Sequence, residues 1–133
     1  MIHVIDAAAD RVEWSFPADP GAVRTARTLV RARLADWGAR EIEDVTALLV
    51  SELVTNAVRH ADGPIRLAVS RTPRRTLLVE VSDQLPDPPR ARTAEPDDEG
   101  GRGLQLLARS AQRWGTRLAG AGKTVWFELT LPG

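Results

Sequence analysis

Alternating apolar and polar residues predict about five β-strands along this sequence. The first alternating segment meets Pro17, which favours a short strand at an edge of a sheet. The second and third segments are separated by a hairpin-like connection that contains Pro73. The predicted strands are Val12–Phe16, Ile65–Val69, Leu77–Val81, Thr116–Leu118 and Lys123–Leu131.

Apolar residues at helical spacing predict about three helices between these strands. Asp19 and Pro20 suit the cap and the first position of a helix that Gly38 ends. The strongest helical pattern runs from Arg40 to about Ala61, and a third covers Leu104–Ala111. This order of elements predicts an α+β fold, a two-layer sandwich in which a mixed sheet carries the helices on one face.

The composition is typical of a single domain over residues 1–133 and argues against several classes of function. Lys and Arg number 18, and so do Asp and Glu, whereas nucleic-acid-binding proteins usually show a clear basic excess. No apolar run approaches the roughly 20 residues that span a membrane. We therefore expect neither a direct nucleic-acid partner nor a membrane. The absence of cysteine and of a signal-peptide pattern favours a cytoplasmic location.

The second helix places two polar residues, Glu52 and Asn56, one turn apart in the middle of its predicted apolar face. A carboxylate and an amide in such a place are costly unless a metal, a ligand or an internal hydrogen bond satisfies them. The alternative is that this face is partly exposed, and for an isolated Glu-x-x-x-Asn pattern internal bonding or exposure is the commoner explanation. The apolar residues of the predicted face are Val45, Leu48, Leu49 and Leu53.

Two further candidates lie on strands. Asp83 follows the third predicted strand, where its carboxylate would accept a hydrogen bond from an exocyclic amine such as that of adenine; an Asp that simply begins a turn is the alternative. Thr124 stands near the start of the last strand and would contact a ligand directly or through water. Taken alone, Thr124 is better explained as an ordinary strand residue.

The segment Glu99–Leu104 contains three glycines directly before the third predicted helix. Glycine allows the backbone to approach a phosphate closely, and a helix N-terminus offers unpaired N–H groups. A flexible linker with a helix cap is the alternative. The segment matches neither the P-loop, because no Gly-Lys-Ser/Thr follows, nor the dinucleotide fingerprint, because a long loop separates it from the strand.

Together these segments resemble the motifs of the GHKL ATP-binding module, which has the Bergerat fold. Ser51–Ala61 resembles its N box, Val81–Asp83 the start of its G1 box, Gly101–Leu104 its G2 box and Gly122–Phe127 its last motif. The order and spacing agree from Val12 to Leu131. The length and the N-box wording are most similar to the small anti-sigma-factor serine kinases of bacteria.

The resemblance implies that ATP and Mg²⁺ are the ligands and gives each candidate a role. Asn56 would hold Mg²⁺ through its side-chain oxygen, and Glu52 would be the general base that takes the proton of an incoming serine hydroxyl. Asp83 would accept a hydrogen bond from the adenine amine. Thr124 would support the adenine side of the pocket.

The resemblance also implies that the G2 segment holds the phosphates. Backbone N–H groups of Gly101, Gly103 and Leu104 would contact them, with Arg102 as a charge partner. The long segment 84–101 would then be a lid, and its composition is too polar to form a core. One departure is that prolines stand after Asp83 where the superfamily usually has glycines, which restricts this loop.

The function that the resemblance implies is that of a serine/threonine protein kinase in a partner-switching system. Such a kinase phosphorylates an anti-anti-sigma protein of the STAS type, sequesters a sigma factor when free of that partner, and forms a homodimer. The alternative is a non-catalytic, ATP-dependent switch that holds its partner without phosphate transfer. Histidine-kinase-like chemistry ranks last, because no separate helical segment presents a phosphoacceptor histidine.

Overall fold

Within the residues that the computed structural model describes, 1–60, 63–84, 109–119 and 122–132, a six-stranded sheet carries two α-helices on one face. Every neighbouring pair of strands is antiparallel, and the strand order is β1-β2-β3-β4-β6-β5. The 3₁₀ turn Arg40–Ile42 leads into the second helix. The elements are β1 His3–Ala7, β2 Arg11–Phe16, α1 Ala22–Asp36, α2 Glu43–His60, β3 Ile65–Arg71, β4 Thr76–Gln84, β5 Arg113–Ala119 and β6 Gly122–Thr130.

The α+β class is confirmed, but the predicted strand arrangement was wrong in two respects. The described sheet is antiparallel rather than mixed, and it has six strands rather than five. The additional strand is β1, whose residues are all exposed and which pairs with β2 through its backbone. Because β1 lies at the edge, β2 is an internal strand. A fully exposed strand has no buried face and therefore shows no alternation toward a core.

Two α-helices, rather than three, are complete within the described residues. The third predicted helix, Leu104–Ala111, lies mostly outside them, and only Arg109 and Ser110 are seen to be helical. Helix α1 ends as predicted at Gly38, which has φ 68° and donates to the Ala35 carbonyl at 3.1 Å. Asp19 does not cap α1 at the predicted position. Its carboxylate accepts the N–H of Gly21, the residue before the helix, at 2.9 Å.

The core lies between the two helices and the inner face of the sheet. Helix α1 contributes residues spaced four apart, which lie along one line of a helix surface. Alternate residues of the internal strands face these helices. The largest fully buried side chains are Phe16, Phe127, Leu34, Leu49, Ile65, Leu67, Leu77, Val12, Val30, Val50 and Val54.

The outer face of the sheet is held by charge pairs across strands. Arg11 donates to Glu13 at 3.0 Å and to Glu80 at 3.2 Å, so it connects β2 with β4 across β3. Arg66 lies 2.8 Å from Glu13, and Arg117 of β5 donates to Glu80. Pairs of this exposure are individually weak, but a connected set opposes a slip in strand register.

We expect Phe127→Ala to destabilise the protein by about 3–5 kcal/mol, because it leaves a cavity in the centre of the core. The matched control is Leu118→Ala on the neighbouring strand, whose side chain is 60% exposed and should cost little. Urea unfolding measures both. Similar losses in the two variants would contradict this description of the core.

Candidate functional site

The candidate site is built around Asp83, the next-to-last residue of β4. Its side chain is 6% exposed and lies on the inner face, in the same alternation as Val79 and Val81. The Oδ1 atom of Asp83 is buried and has no hydrogen-bond partner among the described residues. A buried acceptor without a donor costs about 1–3 kcal/mol, and more when it is charged. This oxygen is therefore suited to a donor supplied by a ligand.

The electrostatic surroundings of Asp83 come from burial and from two nearby basic side chains. Burial raises the pKa of Asp83, while Lys123 and then His60 oppose that rise. Lys123 is the directly opposite residue on β6, and His60 is the last residue of α2. No ion pair within 4 Å joins either of them to Asp83 in the described part of the chain. The carboxylate is thus near positive charge without being neutralised by it.

Helix α2 extends the site away from Asp83 along a polar ridge formed by Glu52, Asn56 and His60. Successive members are four residues apart, which is about 6 Å along the helix axis. Glu52 and Asn56 are both half-buried, and neither makes a hydrogen bond or an ion pair with another described residue. Since α2 packs against β3 and β4, the ridge begins beside Asp83 and leads away from it.

The predicted apolar face of α2 was misplaced. Leu48, assigned to that face, is 48% exposed, and Glu52 and Asn56 lie at the border of the buried face rather than in its middle. Their polar groups therefore need no internal partners and remain accessible to a ligand. The residues that α2 buries are Thr46, Ala47, Leu49, Val50, Leu53, Val54 and Ala57.

Gly63 permits the close approach between the end of β4 and the segment that follows α2. Its φ of 118° is a conformation that other residues rarely adopt. A Cβ atom at this position would lie 3.0 Å from Oε1 of Gln84, the residue after Asp83. Gly63, part of the Asp-Gly-Pro sequence that predicts the end of the helix, thus lies against Gln84 at the Asp83 end of β4.

Thr124 is not brought to the site. It is paired with Ser82, and the two hydroxyl oxygens lie 2.7 Å apart on the outer face of the sheet, opposite to the face of Asp83. Lys123 takes the inner position instead, in the same alternation as Val125 and Phe127. The sequence contains a signal for this, because alternate residues of a strand share a face. If Phe127 faces the core, Val125 and Lys123 face the same way, and Thr124 faces the opposite way.

The remaining predicted site residues, Gly101, Arg102, Gly103 and Leu104, lie outside the described residues, as does the proposed lid apart from Gln84. Their roles stay predictions. No group of three or more His, Asp or Glu side chains that would hold a metal ion occurs in the part of the chain that the structure describes. In the same part, no helix is long and apolar enough to cross a membrane.

A family model described as the histidine kinase-like ATPase domain matches residues 16–129. The chain belongs to this family. The match includes α2, with Glu52 and Asn56, and both strands that carry Asp83 and Lys123. Membership of this ATPase family implies nucleotide binding. No curated protein matches the chain.

Two solved structures are similar to this ATPase domain. The RsbU and RsbW domains of Rv1364c from Mycobacterium tuberculosis superpose with a TM-score of 0.73 at 20% identity, covering 94% of this chain and 33% of that one. The blue-light activated histidine kinase EL346 of Erythrobacter litoralis has a TM-score of 0.57 at 27% identity, covering 69% of this chain and 31% of that one. The chain thus spans about a third of each solved chain, and the first likeness, at this identity, shows the fold alone.

The donor set fits a magnesium nucleotide. The Oδ1 atom of Asp83, which has no hydrogen-bond partner among the described residues, has the chemistry to accept a hydrogen bond from an amine of a nucleotide base. Asn56 offers an amide oxygen farther along the ridge, and Mg²⁺ commonly takes only one or two protein oxygens besides substrate phosphates and water.

We expect Asp83→Asn to stabilise the ligand-free protein near neutral pH. The pKa of Asp83 in the folded protein is above its ordinary value of 3.8. The contribution of Asp83 to the free energy of unfolding is therefore fully present below pH 3.8 and is lost as the pH rises through the folded pKa. The variant lacks this loss. The difference in melting temperature between Asp83→Asn and the wild type should therefore increase over that pH window and then stay constant.

The control for this pH series is Asp36→Asn, which removes an exposed carboxylate at the end of α1. Its difference from the wild type should show no comparable rise. A melting-temperature difference for Asp83→Asn that stays flat or falls with pH would contradict the assigned burial.

Proposed function

We propose that this ATPase domain is a Mg·ATP-dependent serine/threonine protein kinase of the anti-sigma-factor type. Its substrate would be a STAS-type anti-anti-sigma protein, and when free of that partner it would sequester a sigma factor. The proposal includes a cytoplasmic location and a homodimer. The observation that supports it most is the buried Asp83 oxygen, which has no hydrogen-bond partner within the described ranges and lies at one end of a ridge that carries Glu52 and Asn56.

Asp83 would select the base. Its orphaned oxygen would accept a hydrogen bond from the exocyclic amine of adenine, which relieves the cost of the buried acceptor. Lys123, directly opposite, adds a donor beside this acceptor. A carboxylate and an ammonium side by side complement the amine of adenine and the neighbouring ring nitrogen. Lys123 therefore takes the supporting role that the sequence had assigned to Thr124.

Asn56 would hold the metal, and Glu52 would handle the proton. When bound, Mg²⁺ supplies charge neutralisation to the phosphates of ATP. Asn56 lies about 6 Å along α2 from His60, on the side away from the base. Glu52 lies about 6 Å farther, where its half-exposed carboxylate can be reached by a serine of a docked partner. A carboxylate with no ion-pair partner among the described residues is available to accept the serine hydroxyl proton.

The second candidate function is an ATP-dependent binding switch without phosphate transfer. The observation that favours it is that no described residue orients the Glu52 carboxylate by a hydrogen bond. General bases are commonly held in position by a third group. In this case nucleotide binding would control the affinity for a partner, and Glu52 would have no chemical role.

We expect Glu52→Gln to keep nucleotide affinity while slowing phosphate transfer by about 10²–10⁴-fold, because only the proton acceptor is lost. Asn56→Ala should weaken Mg-dependent ATP binding as well as transfer, because a metal ligand is lost. The measurement pairs calorimetry of Mg·ATP binding with labelling of a co-encoded STAS protein by γ-phosphate.

The matched control for this pair is Glu41→Gln, which neutralises a carboxylate in the 3₁₀ turn before α2 and should change neither quantity. If Glu52→Gln transfers phosphate at the wild-type rate, the general-base role is wrong. If the wild type binds Mg·ATP but labels no STAS partner, the binding switch replaces the kinase.

A further inference from the structure

A concave feature lies at the opposite end of the sheet from Asp83. It is a cleft of about 700 Å³ between the β3–β4 hairpin and the end of β6. Thr76 lies in the wall of this cleft and at the start of β4, whereas Asp83 lies near the end of the same strand. A rise of about 3.4 Å per residue separates the two residues by about 24 Å. The cleft is therefore separate from the proposed nucleotide site.

The cleft is basic. Its lining contains three arginines, Arg71, Arg74 and Arg75, but only one acidic residue, Asp10, which gives a formal charge of +2. Hydroxyl and amide side chains, from Thr72, Thr130 and Gln112 among others, complete much of the wall. Guanidinium groups present planar, paired N–H donors that match the oxygens of phosphate or carboxylate. The lining is thus suited to an anion.

Two of the arginines are held in place by internal contacts. Arg71 donates to Asp10 at 2.8 Å and to the Ala9 carbonyl at 3.1 Å, and its guanidinium lies 4.7 Å from the centre of the Trp37 ring. Arg74 donates to Glu128 at 3.1 Å, and Thr76 donates to the other oxygen of that buried carboxylate. Preorganised side chains lose little conformational entropy when they bind a ligand.

Arg75 differs from these two in its backbone conformation and in the absence of a side-chain partner among the described residues. Its φ of 60° lies in the left-handed region, and it is the only non-glycine residue with positive φ in the described ranges. The turn is closed by the Arg75 N–H, which donates to the Thr72 carbonyl at 3.0 Å, and this position normally favours glycine. The exposed Arg75 side chain makes no hydrogen bond or ion pair with another described residue. A strained arginine with no internal partner is an observation that points to a role in binding.

We propose that this cleft binds a phosphate group, either free inorganic phosphate or the phosphate of a phosphorylated serine or threonine in a peptide. Arg75 supplies an uncommitted guanidinium, and the oriented Arg71 and Arg74 supply the surrounding positive charge. The proposal is independent of the nucleotide site, because it uses other residues at the other end of the sheet. Phosphate is favoured over a carboxylate because its larger negative charge and additional oxygens match several arginines at once.

The test is a titration followed by ¹H–¹⁵N NMR, at constant ionic strength and with saturating Mg·ADP to occupy the nucleotide site. One arm uses inorganic phosphate, and the other a short phosphoserine peptide. Both should shift the amide signals of Thr72, Arg74 and Arg75, saturating in the millimolar range for free phosphate. Tighter binding of the peptide would identify a phosphorylated protein segment as the source of the phosphate, and equal binding would identify the free ion.

The informative variant is Arg75→Gly, because glycine relieves the backbone strain while removing the guanidinium. We expect affinity for the phosphate probes to fall about tenfold, the effect of one charge-assisted hydrogen bond, while the melting temperature stays unchanged or rises. The control is Arg27→Ala on the exposed side of α1, which removes the same charge elsewhere and should leave the affinity unchanged.

Three outcomes would overturn the proposal. The first is equal phosphate affinity in Arg75→Gly and the wild type. The second is a response confined to amides near Asp83, or reproduced by sodium chloride at the same ionic strength. The third is binding of an unphosphorylated glutamate peptide as tightly as the phosphoserine peptide, which would make the cleft a carboxylate site.

Discussion

The burial of one carboxylate without a donor is the constraint on which the candidate site depends. Asp83 is held on the inner face of β4 by the same alternation that buries Val79 and Val81, so the fold cannot turn it to solvent without a shift in register. Lys123 and His60 reduce the electrostatic cost of this burial, but the Oδ1 atom has no hydrogen-bond partner in the described part of the chain. The protein thus keeps a locally unfavourable group that a nucleotide base would satisfy. Such a cost is expected at functional sites, where local stability is exchanged for binding.

The sequence predicted much of the fold, because the core elements have clear periodicity. Strands β2, β3 and β4 bury alternate residues, and α1 ends at a glycine with positive φ. The missed strand β1 has no buried side, so its pairing with β2 rests on backbone hydrogen bonds that side-chain patterns do not reveal. The antiparallel order of the sheet depends on how β6 is inserted between β4 and β5, which is a long-range property.

The site was harder to predict than the fold, because its geometry depends on which side of an element faces inward. Helix α2 has apolar residues around most of its circumference, so its periodicity did not distinguish the buried Val50 from the exposed Leu48. For Thr124 the error was one residue, because a strand reverses its face at every position. Alternation with Phe127 indicates that Lys123 faces inward, and the register with β4 places Lys123 opposite Asp83. Asp83 was chosen as a candidate from its place at the end of a strand, and its role stays a prediction. Its orphaned oxygen is visible only in three dimensions.

The proposed recognition of adenine by Asp83 is tested by comparing two nucleotides that differ only at the 6-amino group. Calorimetry with Mg²⁺ would compare ATP with purine riboside triphosphate, in which hydrogen replaces the 6-amino group. We expect ATP to bind about 10–100-fold more tightly, because the analogue leaves the buried carboxylate without its donor. This preference should collapse in Asp83→Ala, which has no side-chain acceptor. Equal affinity of the wild type for the two nucleotides would show that Asp83 does not recognise the amine of the base.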